Sequence, residues 1–277
     1  MRGLKEGIKM DKRPIGVFDS GLGGLTCVRK ILKTMPGEDV IYFGDTGRVP
    51  YGTRSRDTII KYVRQDIRFL EEFDIKMIII ACGTASSAAL PWLADEIKTP
   101  ITGVVEPAVA RAVSATKNNK IGVIGTSGTV RSGKYPEYIE KMNKDIQVIQ
   151  RDCPMFVPLV ENGYLDADAT REFAREYLEE IKAFGVDTLI LGCTHYPLLT
   201  KVIKEEMGDS VTLIDSGAAA ADYSYEILKE RNMLSDKKKG NIRFFVSDGT
   251  ENFSRLGEMF LDRKIDGSVA MVDIEKY

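Results

Sequence analysis

Short runs of β-branched and other apolar residues alternate along this chain with longer amphipathic segments. Apolar residues recur at helical spacing in Thr58–Phe73 and in Thr170–Phe184, and each of these segments precedes one of the most apolar runs. Strands that alternate with helices are typical of βαβ units, so the pattern predicts an α/β fold with doubly wound, mainly parallel sheets. The predicted strands are Ile15–Phe18, Val40–Phe43, Met77–Ala81, Ile101–Val105, Ile121–Ile124, Ile146–Ile149, Thr188–Leu191 and Val211–Ile214.

The predicted strands also fall into two similar series. The segment that begins at Ile15 resembles the one that begins at Ile121, and the segment around Cys82 resembles the one around Cys193, at nearly the same separation. Landmarks that keep one order and one spacing indicate an internal repeat, so we expect two similar α/β halves related by a pseudo-twofold axis. The segment after Ser216 lies outside both series and must pack on one of the halves.

Residue counts exclude several classes of function. The chain has 39 Lys+Arg against 41 Asp+Glu, so its net charge of −2 gives no general attraction to nucleic acid or to an anionic membrane. Its single histidine cannot form the two- or three-histidine sites that hold zinc, copper or non-haem iron, and no CxxC pair is present. Four cysteines form no disulfide framework, and the uncharged stretch Met77–Ala94 contains glycine, proline and hydroxyl residues that argue against a membrane span. We therefore expect a cytoplasmic protein with no metal site.

Two of the cysteines occupy matched positions in the repeat. Cys82 and Cys193 each follow a buried strand where a helix should begin, with Thr84 or Ser86 as the expected cap in the first case and Thr194 in the second. Ligand sites in open α/β sheets lie outside the carboxyl ends of the strands, so both thiols should face a ligand. Because a helix N-terminus lowers the pKa of a thiol, we expect a lowered pKa at both cysteines.

One thiol from each half predicts a site between the halves with a sulfur on either side. Inverting a stereocentre beside a carboxylate requires one group to remove a proton from one face and another group to deliver a proton to the opposite face. Cysteine, with a pKa of about 8.5, can act as acid or base near neutral pH. A buried cysteine is also a common small apolar residue, and we interpret Cys27 and Cys153, which have no match in the repeat, as structural.

Five segments carry a resemblance to a known family: Ile15–Thr26, Val49–Thr53, Ala81–Ser86, Cys153–Glu161 and Leu191–Leu198. In this order they resemble the motifs of glutamate racemases, members of the aspartate/glutamate racemase family. The resemblance implies a cofactor-independent isomerase that interconverts L- and D-glutamate and supplies D-glutamate for peptidoglycan, and hence for the cell wall and cell shape. It also implies a homodimer.

The same resemblance implies a domain arrangement and catalytic roles. The first α/β domain is expected to combine residues 10–106 with 216–277, and the second to span residues 107–215, with the active site between them. By resemblance, one thiol exchanges the α-proton of D-glutamate and the other that of L-glutamate, with three polar residues in support. The thiols are Cys82 and Cys193 in that order, and the supporting residues are Asp19, Glu161 and His195.

Substrate binding is implied for a wider set of positions. Two residues of a loop contact the substrate carboxylate, and residues near the thiols bind the charged ends of the amino acid. The loop residues are Tyr51 and Gly52, and the remaining positions are Asp19, Ser20, Gly83, Thr84, Thr194 and His195. The chain departs from the family at Gly83, where the family usually has Asn. The missing side-chain amide leaves the choice between glutamate and aspartate open.

Other interpretations remain open as well. An aspartate racemase, or another two-cysteine isomerase of the superfamily, would use the same thiols on a different substrate. A non-catalytic module would bind an amino acid without exchanging its α-proton, and a redox or metal site would use the cysteines differently. Asp19–Gly21 could simply cap a helix. Gly125–Gly128 could hold a phosphate or cap a helix, and we favour the cap.

Overall fold

The structure is a computed structural model that describes residues 10–265 and 267–277. Within these residues the strands are β1 (Ile15–Asp19), β2 (Val40–Gly44), β3 (Met77–Ile80), β4 (Ile101–Gly103), β5 (Lys120–Gly125), β6 (Gln147–Asp152), β7 (Thr188–Leu191), β8 (Thr212–Asp215), β9 (Ile242–Val246) and β10 (Val269–Met271). The α-helices are α1 (Leu25–Thr34), α2 (Arg56–Glu71), α3 (Gly83–Ala88), α4 (Leu90–Leu93), α5 (Val105–Ala115), α6 (Ser127–Arg131), α7 (Lys134–Met142), α8 (Phe156–Glu161), α9 (Asp168–Phe184), α10 (Thr200–Met207), α11 (Ser216–Glu230) and α12 (Thr250–Leu261). Short 3₁₀ turns span Tyr51–Thr53, Ala94–Glu96, Tyr196–Leu199 and Ile274–Lys276.

The strands form two parallel sheets whose orders match. The first sheet has the order β10-β9-β2-β1-β3-β4 and the second has the order β6-β5-β7-β8, and neighbouring strands in both are parallel. The order β2-β1-β3-β4 is therefore repeated by β6-β5-β7-β8, strand for strand. This confirms the predicted α/β fold with two similar halves, which we call the first half and the second half after their sheets.

Burial explains why the central strands are so apolar. Every residue of β1, β2, β3 and β7 is buried, because helices cover the parallel sheets. Helix α2 buries Ile59, Val63 and Ile67 along one stripe, and α9 buries Leu178 and Ile181 in the same way. The amphipathic spacing in the sequence thus corresponds to the faces with which these helices cover the sheets.

The eight predicted strands and the two predicted helices are all present; Thr188–Leu191 has the predicted ends, and the ends of the others are shifted. Helix α2 begins at Arg56 because the hydroxyl of Ser55 accepts a hydrogen bond from the backbone N–H of Thr58 at 3.3 Å. Helix α9 ends where Gly185 adopts a φ of 78°, a backbone conformation that glycine takes at little cost. The Gly125–Gly128 turn caps α6 through the side chain of Thr126, as predicted.

The segment after Ser216 adds to the first sheet. Its strands β9 and β10 extend this sheet beyond β2, and its first helix, α11, packs against α1 and α5. The domain boundaries at residues 10–106, 107–215 and 216–277 stay predictions. In the part of the chain that the structure describes, no helix is long and apolar enough to cross a membrane.

Candidate active site

A cavity of about 280 Å³ lies at the carboxyl ends of the strands, between the two halves. Segments that follow β1, β2 and β3 form one wall, and segments that follow β5, β6 and β7 form the other. Two predicted site residues, Asp19 and Cys193, lie directly behind this lining, in contact with Thr194 and His195 respectively. The lining residues are Ser20, Gly21, Val49, Pro50, Tyr51, Gly52, Cys82, Gly83, Thr84, Thr126, Val157, Pro158, Glu161, Thr194 and His195.

Cys82 sits at the start of α3 and caps that helix itself. Its Sγ accepts a hydrogen bond from the backbone N–H of Ala85 at 3.5 Å and lies 3.4 Å from Oγ of Ser20. The expected caps act elsewhere: Ser86 donates its hydroxyl to the carbonyl of Ile80, and Thr84 bonds to another threonine. The prediction that Thr84 or Ser86 caps this helix is therefore wrong, because the thiol already occupies the capping position.

The surroundings of Cys82 raise the pKa of its thiol to about 12, so the predicted lowering is wrong at this cysteine. Burial is the largest cause, and the negative charge of Asp19 adds to it. The hydrogen bonds that Cys82 forms with the hydroxyl of Ser20 and with the backbone N–H of Ala85 lower the pKa but are outweighed. At neutral pH Cys82 is therefore a thiol and a potential proton donor.

Cys193 has a basic neighbour instead. Its Sγ lies 3.9 Å from Nδ1 of His195, and Nε2 of the same ring lies 3.1 Å from Oε1 of Glu161 on α8. Burial lowers the pKa of His195, but the hydrogen bonds to Cys193 and Glu161 outweigh it and raise the pKa to about 10. The imidazolium therefore places a positive charge beside this sulfur, where it stabilises negative charge.

Thr194 does not cap the turn that follows Cys193. The 3₁₀ turn Tyr196–Leu199 has His195 at its N-terminus and no side-chain cap, so the predicted cap is wrong here too. The hydroxyl of Thr194 instead donates to Oδ1 of Asp19 at 3.5 Å, a contact that joins the two halves. Through this threonine, the second half contacts the first half beside the cavity.

Asp19 lies at the end of β1 and is 1% exposed. Its Oδ2 accepts a hydrogen bond from the backbone N–H of Gly21 at 2.9 Å, and α1 begins further on, at Leu25, after an uncapped Gly24. Asp19 therefore closes a local turn and does not cap α1. Burial raises the pKa of Asp19, opposed by the positive charge of His195.

The loop that carries Tyr51 and Gly52 is held by a buried polar network. The hydroxyl of Tyr51 donates to Asp45 and, at 3.1 Å, to Oδ2 of Asp66, and Arg48 bonds to both carboxylates at 2.7 and 2.9 Å. Burial and the charge of Asp45 raise the pKa of Asp66 well above its usual range. The hydroxyl of Tyr51 is thus occupied within the first half, so the predicted contact with a substrate carboxylate stays a prediction.

Sequence reasoning missed the supporting residues of this loop and one lining residue. Asp45, Arg48 and Asp66 anchor the loop, and Thr126 lines the cavity, where its hydroxyl lies 2.8 Å from that of Thr84. Arg48 directly precedes the segment Val49–Thr53, which carries the family resemblance. Its position next to that segment could have identified it as a supporting residue. Asp45 and Asp66 come from separate parts of the chain, so no local pattern connects them.

Gly83 marks a close approach between the halves. A Cβ atom at this position would lie 2.2 Å from the carbonyl oxygen of Gly192, which follows β7. Because this oxygen belongs to the backbone, it cannot move aside as the end of a flexible side chain can. The missing side chain at position 83 is therefore matched by tight packing of α3 against the second half. Within residues 10–265 and 267–277, no three His, Cys, Asp or Glu side chains are grouped so that they could hold a metal ion.

Known proteins are similar in sequence to this chain over nearly its whole length. A family model described as Asp/Glu/hydantoin racemase matches residues 15–223. A glutamate racemase from Geobacter metallireducens is 46% identical, over 96% of this chain and 98% of its own length. The chain belongs to the Asp/Glu/hydantoin racemase family. It is an amino-acid racemase, an isomerase, and its predicted resemblance to glutamate racemases is confirmed.

Solved structures of racemases agree with this assignment. A glutamate racemase isoform from Bacillus anthracis superposes with a TM-score of 0.91 at 37% identity, covering 94% of this chain and 97% of its own. The glutamate racemase from Francisella tularensis in complex with D-glutamate gives a TM-score of 0.90 at 38% identity, with 97% and 100% covered. An aspartate racemase from Picrophilus torridus, 20% identical with a TM-score of 0.54 over 79% of this chain and 98% of its own, shares the fold of this racemase.

Proposed function

We propose that this racemase interconverts L- and D-glutamate by moving the Cα proton between two thiols. One observation carries the proposal: Cys82 and Cys193 hold corresponding positions in the two halves, beside a cavity that lies between the halves. Relatives named glutamate racemase at 41–46% identity, and the Francisella tularensis structure with D-glutamate, support glutamate as the substrate.

In the L-to-D direction the thiolate of Cys193 takes the Cα proton of L-glutamate. The C–H bond breaks, and its electron pair is delocalised into the adjacent carboxylate. The thiol of Cys82 then donates its proton to the opposite face of Cα, which forms the new C–H bond of D-glutamate and leaves a Cys82 thiolate. After D-glutamate leaves, the Cys193 thiol gives its proton to solvent and the Cys82 thiolate takes one up, which restores the starting state. The D-to-L direction uses the same steps with the two roles exchanged.

The electrostatics of the two thiols suit this sequence of steps. The raised pKa of Cys82 keeps its proton available for donation, and the imidazolium of His195 stabilises the thiolate of Cys193. Glu161 holds the ring of His195 in place through Nε2, and the negative charge of Asp19 disfavours a thiolate at Cys82 between turnovers. Glu161, His195 and Asp19 therefore act as supporting groups in this proposal.

Substrate binding is proposed for the polar groups that line the cavity. A glutamate molecule has two carboxylates and one ammonium group, and hydroxyl groups and backbone N–H groups can bind the carboxylates without competing for the Cα proton. The proposed binding residues are Asp19, Ser20, Tyr51, Gly52, Gly83, Thr84, Thr194 and His195. Tyr51 would contribute through its position in the loop, since its hydroxyl is bonded to Asp45 and Asp66.

The test is to follow D/L interconversion of glutamate and of aspartate by circular dichroism in matched cysteine variants. Cys82→Ser and Cys193→Ser should each reduce racemisation of glutamate by at least about a thousandfold, because each direction needs both thiols. Cys27→Ala is the control, since Cys27 is fully buried away from the cavity lining and should tolerate the change with activity retained. Full activity in either serine variant, or faster racemisation of aspartate than of glutamate, would contradict the proposal.

The wider role follows from the same proposal. A D-glutamate supply is needed for peptidoglycan, so we propose that this racemase acts in cell-wall synthesis and in maintaining cell shape, as a homodimer in the cytoplasm. Its gene should restore growth to a bacterial strain that depends on added D-glutamate. The Cys193→Ser variant should not restore growth, and growth with that variant would argue against racemisation as the source of rescue.

A further inference from the structure

The loop that carries Tyr51 and Gly52 contacts the segment after Ser216, which lies outside the internal repeat. This loop follows β2 and spans residues 45–53, and we call it the 45–53 loop. The segment after Ser216 adds β9 and β10 to the first sheet, with β9 directly beside β2. Among the strands that the structure describes, the second sheet has none that corresponds to β9 or β10. The 45–53 loop is therefore held by contacts that the repeat does not supply.

The first contact is made by Ser247, which directly follows β9. Its Oγ donates a hydrogen bond to Oδ1 of Asp45 at 2.8 Å and accepts one from the backbone N–H of Gly47 at 2.8 Å. The next residue, Asp248, accepts a hydrogen bond from the hydroxyl of Thr46 through its carbonyl oxygen. Its backbone N–H donates to the same hydroxyl at 3.0 Å. A single serine hydroxyl thus holds both a carboxylate and a backbone N–H of the 45–53 loop.

Asp45 connects Ser247 to the part of the loop that lines the cavity. Its Oδ1 accepts from Ser247, and its Oδ2 accepts from the hydroxyl of Tyr51 and, at 2.7 Å, from Nε of Arg48. The carboxylate is fully buried, so its orientation depends on these donors. Loss of the donor at Oδ1 would let the carboxylate turn, and Tyr51 would lose a fixed acceptor.

The second contact is made by the 3₁₀ turn Ile274–Lys276. Oε1 of Glu275 accepts a hydrogen bond from Nη1 of Arg48 at 3.3 Å. The same nitrogen donates to Oε1 of Gln65 at 2.6 Å, and Nε2 of Gln65 donates to the carbonyl oxygen of Ile274 at 3.4 Å. The side chain of Glu275 is 58% exposed, so water competes for its bond to Arg48. This contact is therefore weaker than the one made by Ser247.

We propose that Ser247 is a positioning residue for substrate binding, because it holds the 45–53 loop through Asp45. The inference rests on the proposed function, in which Tyr51 and Gly52 bind the substrate. Ser247 is not among the residues that line the active-site cavity, so it acts through the loop. A loop that is held in place before the substrate arrives lowers the entropic cost of binding. Ser247 therefore affects the KM for the substrate much more than kcat, since neither thiol is bonded to it.

Steady-state racemisation, followed by circular dichroism, separates KM from kcat in matched variants. Ser247→Ala should raise the KM for glutamate about fivefold or more and change kcat by less than about twofold, since the loss falls on binding. Ser247→Thr keeps the hydroxyl and should restore most of the affinity. The control is Ser224→Ala, which removes a buried hydroxyl that donates to the carbonyl oxygen of Ala220 within α11, away from the loop. An equal KM in Ser247→Ala and in Ser224→Ala would overturn the proposal.

Glu275→Gln tests the second contact while Ser247 stays in place. The exposed carboxylate contributes less, so this variant should raise the KM by less than about twofold. Equal rises in KM for Glu275→Gln and Ser247→Ala would mean that Ser247 has no particular role, and they would overturn the assignment.

Hydrogen–deuterium exchange measures the hold on the loop without any substrate. In Ser247→Ala, peptides that cover residues 45–53 should exchange about tenfold faster or more, because the N–H of Gly47 loses its acceptor and the loop opens more often. Ser224→Ala should leave the exchange of these peptides unchanged. If the unmodified protein failed to racemise glutamate, the proposed function would fail, while this exchange would still decide whether Ser247 holds the loop. Unchanged exchange in Ser247→Ala would overturn the proposal, whatever happens to KM.

Discussion

At the scale of single residues, the two thiols have opposite electrostatic surroundings. Cys82 is close to the buried carboxylate of Asp19, and Cys193 is close to the imidazolium of His195. The repeat that places the two sulfurs at corresponding positions therefore does not give them the same charged neighbours. In the proposed L-to-D direction, the raised pKa of Cys82 suits the thiol that donates a proton, and the charge of His195 favours negative charge at the other sulfur.

The raised pKa of Cys82 predicts its reactivity toward iodoacetamide. Only the thiolate reacts, so the alkylation rate of Cys82 should rise about tenfold per pH unit from pH 7 to pH 10 without levelling off, because the pKa of about 12 lies above this range. Mass spectrometry of the peptide that contains Cys82 would measure the rate. A plateau near pH 8 or 9, as for an unperturbed thiol, would contradict the account.

The pKa of Cys82 is higher than the sequence predicts, and the difference has a physical cause. The position of a thiol after a strand and before a helix can be read from the sequence, and it predicts a lowered pKa. Burial between the halves and the negative charge of Asp19 depend on how distant segments pack together, and they outweigh the effect of the helix. The location of the thiol was therefore predictable, and its protonation was not.

At the scale of elements, the loop that carries Tyr51 is anchored by a buried hydrogen-bond network. Tyr51→Phe removes one hydroxyl that donates to Asp45 and Asp66, and it should lower the free energy of unfolding by about 1–3 kcal/mol, since buried acceptors lose a partner. The KM for glutamate should rise as the loop loosens. Urea unfolding and steady-state racemisation would measure the two effects.

The matched control for this variant is Tyr62→Phe. The ring of Tyr62 packs 5.5 Å from that of Tyr51 and against the guanidinium of Arg48, and these contacts survive the loss of the hydroxyl. Unfolding and KM should therefore remain close to those of the unmodified protein. If Tyr51→Phe behaved like Tyr62→Phe, the network would not be what holds the loop.

The start of α3 gives a second prediction at this scale. Alanine is favoured over glycine in a helix by up to about 1 kcal/mol, but a Cβ at Gly83 would lie 2.2 Å from the backbone oxygen of Gly192. The clash should dominate, so Gly83→Ala is expected to lower stability by about 1–3 kcal/mol and to reduce racemisation, because the halves must separate.

Gly217→Ala, inside α11, provides the comparison for Gly83→Ala. Its nearest neighbour would be the side chain of Cys27 at 3.3 Å, a contact that a small shift relieves. This variant should be neutral or slightly stabilised in thermal unfolding. Stability of Gly83→Ala equal to that of Gly217→Ala would show that the halves are not in tight contact at position 83.

At the scale of the whole molecule, the internal repeat was the most informative property of the sequence. It predicted two similar halves, and the strand order of the second sheet indeed repeats four strands of the first. The strands β9 and β10 were missed because they have no counterpart in the repeat, and the last one is three residues long and partly exposed. The network around Tyr51 was missed because its members meet through tertiary packing alone.

The central claim is that two thiols, one from each half, act on opposite faces of a single Cα. The most direct test is the deuterium content of both enantiomers at early times when L-glutamate is racemised in deuterated water. The account predicts deuterium at Cα of the D-glutamate formed, because Cys82 exchanges its proton with solvent before donating it, while the remaining L-glutamate keeps its hydrogen. Deuterium that enters the unreacted L-glutamate as fast as the product would mean that one group serves both faces, and it would contradict the account.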